Sequence, residues 1–169
     1  MKKVYLGIGT NLGNREDNLE NAVAKVEECI GRVLKSSSVY ETAPWGFQSD
    51  DVFLNMVVKV ETSLSPSGLL GRLLMIESLL GRVRGENRYS SRLIDIDILL
   101  YEKLIVDELS LKIPHPLLQD RKFVLVPLCE IAADLIHPVL KKTMTELLEI
   151  CGDKSEVKKS PLNKLNPYF

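Results

Sequence analysis

Residues 92–100 read Arg-Leu-Ile-Asp-Ile-Asp-Ile-Leu-Leu, two carboxylates at i and i+2 inside an aliphatic run. Side chains alternate faces along a strand, so Asp95 and Asp97 share one face. Ile94, Ile96, Ile98 and Leu100 are then expected on the other, toward a core. Adjacent anions repel and strand interiors disfavour Asp, so a positive partner is expected over the Asp face. Arg82, Arg84, Arg88 and Arg92 lie just upstream. Alone, the motif reads equally as a solvated sheet face paired with a neighbouring Lys or Arg. Next to the Arg cluster it suits a metal-bound polyanion, and a nucleoside triphosphate is the obvious candidate.

The segments on either side define the topology. Residues 3–9 read as a strand, and Asn14 can cap a helix with Glu16 and Asp17 in its first turn. Leu19, Ala22, Val23, Val26 and Ile30 fall on one helical face, and Gly31 ends it. Residues 33–41 are strand-like, 44–51 form a loop, and Phe53 to Thr62 is another strand. Ser65-Pro66 is a helix start. Leu69, Leu70, Leu73, Ile76 and Leu80 form its expected buried face, closed by Gly81. Residues 82–92 are Arg-rich and aperiodic, a long loop before the Asp strand. The order β-α-β-β-α-β predicts an α+β, ferredoxin-like sandwich, its sheet mainly antiparallel with both helices on one face. C-terminal additions are expected: a short strand at 109–113 and helical stretches near 121–132 and 143–151. One domain is expected over 1–152, followed by a loosely held tail, 153–169.

Composition narrows the class. The chain has 169 residues, 45% of them hydrophobic, enough for one domain with a real core. A net charge of −1 provides no global field for nucleic acid or an acidic membrane. No apolar run is long enough to span a bilayer, and the apolar stretch after Lys3 breaks at Gly7 and Gly9 without a cleavage site. Cys29, Cys129 and Cys151 have no metal or redox spacing, and read as buried thiols in a reducing cytoplasm. The glycines at 7, 9 and 13 match neither a dinucleotide fingerprint nor a Walker motif, and read as a tight turn packed near a ligand. His115 and His137, each before a Pro, read as structural, although His115 becomes a donor beside a phosphate site. Phe53 with Asn55 on the same strand face suits a flat heterocycle, stacked on the ring and hydrogen-bonded at its edge.

Several segments together resemble the 6-hydroxymethyl-7,8-dihydropterin pyrophosphokinase family of folate biosynthesis. They are Gly9-Thr10-Asn11-Leu12-Gly13, Tyr40-Glu41-Thr42-Ala43-Pro44-Trp45-Gly46, Phe53-Leu54-Asn55, Ile76-Glu77 and Gly81-Arg82-Val83-Arg84. Arg88-Tyr89-Ser90-Ser91-Arg92, its continuation to Ile98, Pro114-His115-Pro116 and Arg121-Lys122-Phe123 complete the set. The resemblance implies a monomer that uses ATP and two Mg²⁺ ions. It implies transfer of the pyrophosphoryl group to the pterin hydroxymethyl oxygen with release of AMP. It places Asp95 and Asp97 on both ions and Arg82 and Arg92 on the transferring phosphates. Arg84, His115, Arg121 and Glu77 fall on the nucleotide side. Phe53 and Phe123 would sandwich the pterin, with Thr42, Asn55, Pro44, Trp45 and Asp95 around it. The chain departs from the family at Ser90-Ser91, where Gly-Pro is usual, at Tyr89, where Trp or Phe is common, and at Phe53, where Tyr is frequent.

Overall fold

The computed structural model describes residues 1–43, 52–81 and 93–164. β1 (Lys2–Thr10), α1 (Arg15–Cys29), β2 (Gly31–Ser36), β3 (Tyr40–Thr42), β4 (Phe53–Thr62), α2 (Pro66–Leu79) and β5 (Asp95–Tyr101) follow in order. A small hairpin of β6 (Val106–Asp107) and β7 (Lys112–Ile113) comes next, then α3 (Lys122–Ala132), α4 (Met144–Glu149) and β8 (Val157–Lys159). The loop expectations at 44–51 and 82–92 lie outside the described residues.

The main sheet has the order β5-β1-β4-β3-β8, with β2 also paired to β4. Its pairings are antiparallel. β4 lies between β1 and β2 and splits the first β-α-β unit. β1 lies between β4 and β5 and splits the second. This is the ferredoxin-like arrangement that the element order predicted. The expected strand at 33–41 is instead two, β2 and β3, interrupted at 37–39, where Ser37 Oγ accepts from Val57 N–H at 2.9 Å.

Local signals act as read. The Asn14 side chain caps α1 by accepting from Asp17 N–H, and Ser65 caps α2 by accepting from Gly68 N–H with Pro66 following. Both helices press onto one sheet face, where Leu19, Ala22, Val23 and Val26 of α1 and Leu69, Leu73 and Ile76 of α2 meet Val4, Leu6, Ile8, Leu54, Met56, Val58 and Ile96. Leu70 and Leu80, expected fully buried, are only partly so. The other sheet face carries a second core, in which Tyr5, Val57, Leu99 and Leu100 pack under Val124, Leu125, Leu128, Met144 and Leu147 of α3 and α4.

Leu100 is therefore on the opposite face from the one expected. Tyr5 pairs with Leu100 but Leu6 pairs with Ile98, which leaves Leu99 as an extra residue in β5. That bulge flips the alternation after Ile98, so Leu99 and Leu100 both serve the second core while Tyr101 returns to the first.

Up to residue 164, where the described residues end, the C-terminal segment is also more ordered than expected. Rather than a loose tail from 153, the chain adds β8 to the sheet, pairing Val157, Lys158 and Lys159 with Thr42, Glu41 and Tyr40. Ser160 is buried, and its N–H donates to Val39 O at 2.8 Å.

Two predictions concern stability. Gly31 has φ +155°, and an added Cβ would lie 2.1 Å from Glu61 O, a backbone atom that cannot give way cheaply. Gly31→Ala should lose roughly 2–3 kcal/mol in chemical denaturation. His137 is 4% exposed, its Nδ1 accepts from Val139 and Leu140 N–H, and burial pushes its pKa below the ordinary 6.5. Only the neutral ring can accept at Nδ1. Its contribution is therefore complete above pH 6.5 and lost as the pH falls below that value, because the unfolded chain takes up the proton first. His137→Asn, which offers an oxygen to the same N–H groups, should flatten the fall in melting temperature between about pH 6.5 and 5 relative to wild type.

Candidate active site

α3 and α4 cover only part of the second sheet face. Where that layer ends, β1 presents glycine rather than a bulky side chain, and a cleft opens. It is lined by Gly7, Gly9, Thr42, Phe53, Asn55, Asp95, Asp97, Leu99, Arg121 and Phe123 among others, and it is open to solvent.

The register explains the lining. Gly9 pairs with Asp95 on one side and Asn55 on the other, and Gly7 pairs with Asp97 and Val57. Cross-strand partners share a face, so the two Asp and Asn55 flank a glycine floor. Neighbouring strands are about 4.8 Å apart, which leaves a gap of about 10 Å across that floor. Gly7 and Gly9 are thus strand residues, as the strand reading of 3–9 expects, and they floor a cleft rather than form a tight turn. A Cβ on Gly9 would lie 2.9 Å from Asn55 Oδ1, so the glycine makes room for that amide. Asn55 is buried, and its Nδ2 donates to Thr42 Oγ1 at 2.7 Å, which leaves Oδ1 turned toward the floor.

The charged groups gather at the other side. Asp97 Oδ2 lies 3.8 Å from His115 Nε2 and 3.9 Å from Arg121 Nη1. His115 is held by its backbone N–H donating to Leu99 O at 2.9 Å, and its Nδ1 accepts from Leu117 N–H at 3.1 Å. In the neutral ring the proton is therefore on Nε2, the nitrogen facing Asp97. Arg121 stands immediately before α3, and its guanidinium carbon lies 5.7 Å from the Phe123 ring centroid.

The residues expected around one site therefore converge: Thr42, Phe53, Asn55, Asp95, Asp97, Arg121 and Phe123 line one cleft, with His115 beside Asp97. Pro44, Trp45, Arg82, Arg84, Arg88, Tyr89, Ser90, Ser91 and Arg92 lie outside the described residues. Glu77, expected on the nucleotide side, reaches from α2 to β5. Its side chain is 3% exposed, and Oε1 accepts from Ile96 N–H at 2.8 Å. It holds the strand between the two Asp from the helical side. Sequence reading also missed Leu99, Val57 and Val124 as apolar lining, because their place depends on the bulge and on the α3 layer.

Among the described residues no three His, Cys, Asp or Glu side chains cluster as a closed metal cage. Two carboxylates on one open strand face fit magnesium, which commonly takes one or two carboxylates and completes its shell with phosphate oxygens and water.

Known proteins agree with this architecture. The family model described as 7,8-dihydro-6-hydroxymethylpterin-pyrophosphokinase matches residues 5–133. The 2-amino-4-hydroxy-6-hydroxymethyldihydropteridine pyrophosphokinase of Aquifex aeolicus is 42% identical over 168 residues, covering 99% of this chain and 96% of the relative. The protein of the same description from Methylorubrum extorquens is 47% identical over 137 residues, covering 80% of this chain and 86% of its own length. The crystal structure of wild-type Plasmodium falciparum HPPK-DHPS superposes with a TM-score of 0.71 at 18% identity, a likeness of fold. It covers 88% of this chain, which spans 44% of that longer polypeptide. The chain belongs to the 7,8-dihydro-6-hydroxymethylpterin-pyrophosphokinase family.

Proposed function

We propose that ATP donates the pyrophosphoryl group in this cleft, that two magnesium ions are held by Asp95 and Asp97, and that AMP leaves. The reaction class follows from family membership: pyrophosphate is transferred to the hydroxymethyl group of 6-hydroxymethyl-7,8-dihydropterin in folate biosynthesis. The observation that carries the site reading is the single register rung Asp95–Gly9–Asn55. It puts an acidic wall and an amide wall on either side of a flat glycine floor.

Each residue then has a role that its chemistry allows. Phe53 and Phe123 supply ring faces for the pterin. Asn55 Oδ1, with its amide nitrogen committed to Thr42, accepts from an N–H on the heterocycle edge. Arg121 and His115 Nε2–H, both beside Asp97, donate to phosphate oxygens. Bound at the Asp pair, magnesium would neutralise phosphate charge and align the donor for in-line displacement at the β-phosphorus. Arg82 and Arg92 are proposed to meet the transferring phosphates, with Arg84 on the nucleotide, while Pro44 and Trp45 border the pterin. The hydrogen bond that Glu77 Oε1 accepts from Ile96 N–H supports a role in bracing the strand. The three cysteines are free thiols, which supports a cytoplasmic setting, and the reading takes the protein as a monomer. No helix among the described residues is long and apolar enough to cross a membrane.

Product analysis tests the proposal. AMP and pyrophosphorylated pterin in equal amounts are expected. Free pyrophosphate with a nucleotidylated product would instead mean attack at the α-phosphorus and would overturn it. Asp97→Asn should lower kcat by about a hundredfold or more while leaving the melting temperature unchanged or slightly raised, since it also relieves repulsion with Asp95. Gly9→Ala should displace Asn55 and raise the pterin KM by about tenfold. The ATP KM should hold, as steady-state kinetics with each substrate varied would show.

A further inference from the structure

The first turn of α3 carries Arg121 and Phe123 into the cleft, yet the side chain at its cap position makes no capping hydrogen bond. The first helical N–H, that of Lys122, donates instead to Asp153 Oδ2 at 3.1 Å. An N-terminal helix N–H needs such an acceptor, and a carboxylate there also opposes the positive end of the helix dipole. The other Asp153 oxygen accepts from Ser155 N–H at 2.9 Å and from Ser155 Oγ at 2.5 Å. The carboxylate is thereby held on both sides. Burial pushes its pKa up, but the hydrogen bonds from Ser155 and Lys122 outweigh that and leave it below the usual carboxylate range.

Four residues later Val157 pairs with Thr42, the β3 residue that accepts from Asn55 in the cleft. The stretch from Asp153 to Val157 therefore joins the helical wall to the sheet wall. The far end of α3 is tied to β3 and the corner before it. Glu130 accepts from Ser38 N–H at 3.1 Å, from Ser38 Oγ at 2.8 Å and from Tyr40 Oη at 2.6 Å. Burial and that bond to the carboxylate push the Tyr40 phenol pKa upward. α3 is thus fastened at its first turn to Asp153, just before β8, and near its far end to β3 and the corner before it.

We propose that Asp153 is a positioning residue for acceptor binding: by holding the first turn of α3 against the β8–β3 edge, it sets the spacing between Phe123 and the Thr42–Asn55 pair. The inference rests on the pterin reading of the cleft, which wild-type activity tests separately. It touches no reacting atom, so its effect belongs in pterin affinity rather than in the chemical step. Nucleotide affinity draws on the Asp pair and several Arg as well, and so responds less.

The test is steady-state kinetics on full-length Asp153→Ala and Asp153→Asn, with melting curves for both. Asp153→Ala is expected to raise the pterin KM about five- to tenfold, with kcat and the ATP KM within about twofold. Asp153→Asn, which keeps an oxygen for the Lys122 N–H, is expected to restore the pterin KM to within about twofold of wild type. An unchanged pterin KM in folded Asp153→Ala would overturn the proposal. So would a fall in kcat that merely follows the unfolded fraction, or a failure of Asp153→Asn to rescue. If Asp153→Ala does not fold, Ser155→Ala decides, since it removes the hydroxyl bond to the carboxylate while leaving the carboxylate and the backbone bond in place. A rise of about threefold in pterin KM supports the assignment and no rise overturns it.

Discussion

Asp95 and Asp97 repel each other, and the strand that carries them cannot turn one away without turning its neighbours out of the core. With Cα atoms about 7 Å apart, the repulsion is at most about 2 kcal/mol at a surface-like dielectric. Ile96 and Ile98 are buried on the opposite face, each worth about 2 kcal/mol or more when removed from water. Burial therefore wins and fixes the two carboxylates side by side. Glu77 adds to this by accepting from Ile96 N–H between them. On the cleft side, Arg121 and His115 stand near Asp97 and offset part of the charge that results.

The same sheet does opposite things along one face. Near Tyr5, Val57, Leu99 and Leu100 it is a core surface under α3 and α4. Two residues further along β1 it becomes a glycine floor beneath polar walls. The transition needs no separate domain, only a change from large to absent side chains at Gly7 and Gly9 and the end of the helical layer. The helical layer in turn ends where Asp153 caps α3, so the shape of the site and the C-terminal strand are set together.

Features that depend on neighbouring residues alone were legible in the sequence. The alternation that puts Asp95 and Asp97 on one face, the Asn14 and Ser65 caps, and the shared face of Phe53 and Asn55 all follow from local periodicity. Features that depend on pairing across the chain were not. Leu100 changes face because β5 holds one residue more than β1 opposite Leu99, and nothing within residues 95–101 marks the bulge. Gly7 and Gly9 looked like a turn because a strand glycine shows its purpose only when its partners are known to be Asp97, Asp95 and Asn55. The segment 153–169 looked like a tail because Lys, Ser and Pro carry no period, and the order of its described part comes from β3 and α3, residues far away in sequence. Glu77 was assigned toward nucleotide by the family resemblance, and its hydrogen bond with Ile96 N–H could be read only from the strand beside it.

The central claim is that the acidic strand becomes a seat for pterin and donor together once metal and nucleotide neutralise it. Calorimetric titration of the pterin into the protein, with and without magnesium and a non-hydrolysable ATP analogue, tests it most directly. Strong pterin binding is expected only when both are present, and it should disappear in Asp97→Asn. Equal binding to the protein without nucleotide or metal, or binding unaffected by Asp97→Asn, would contradict the account.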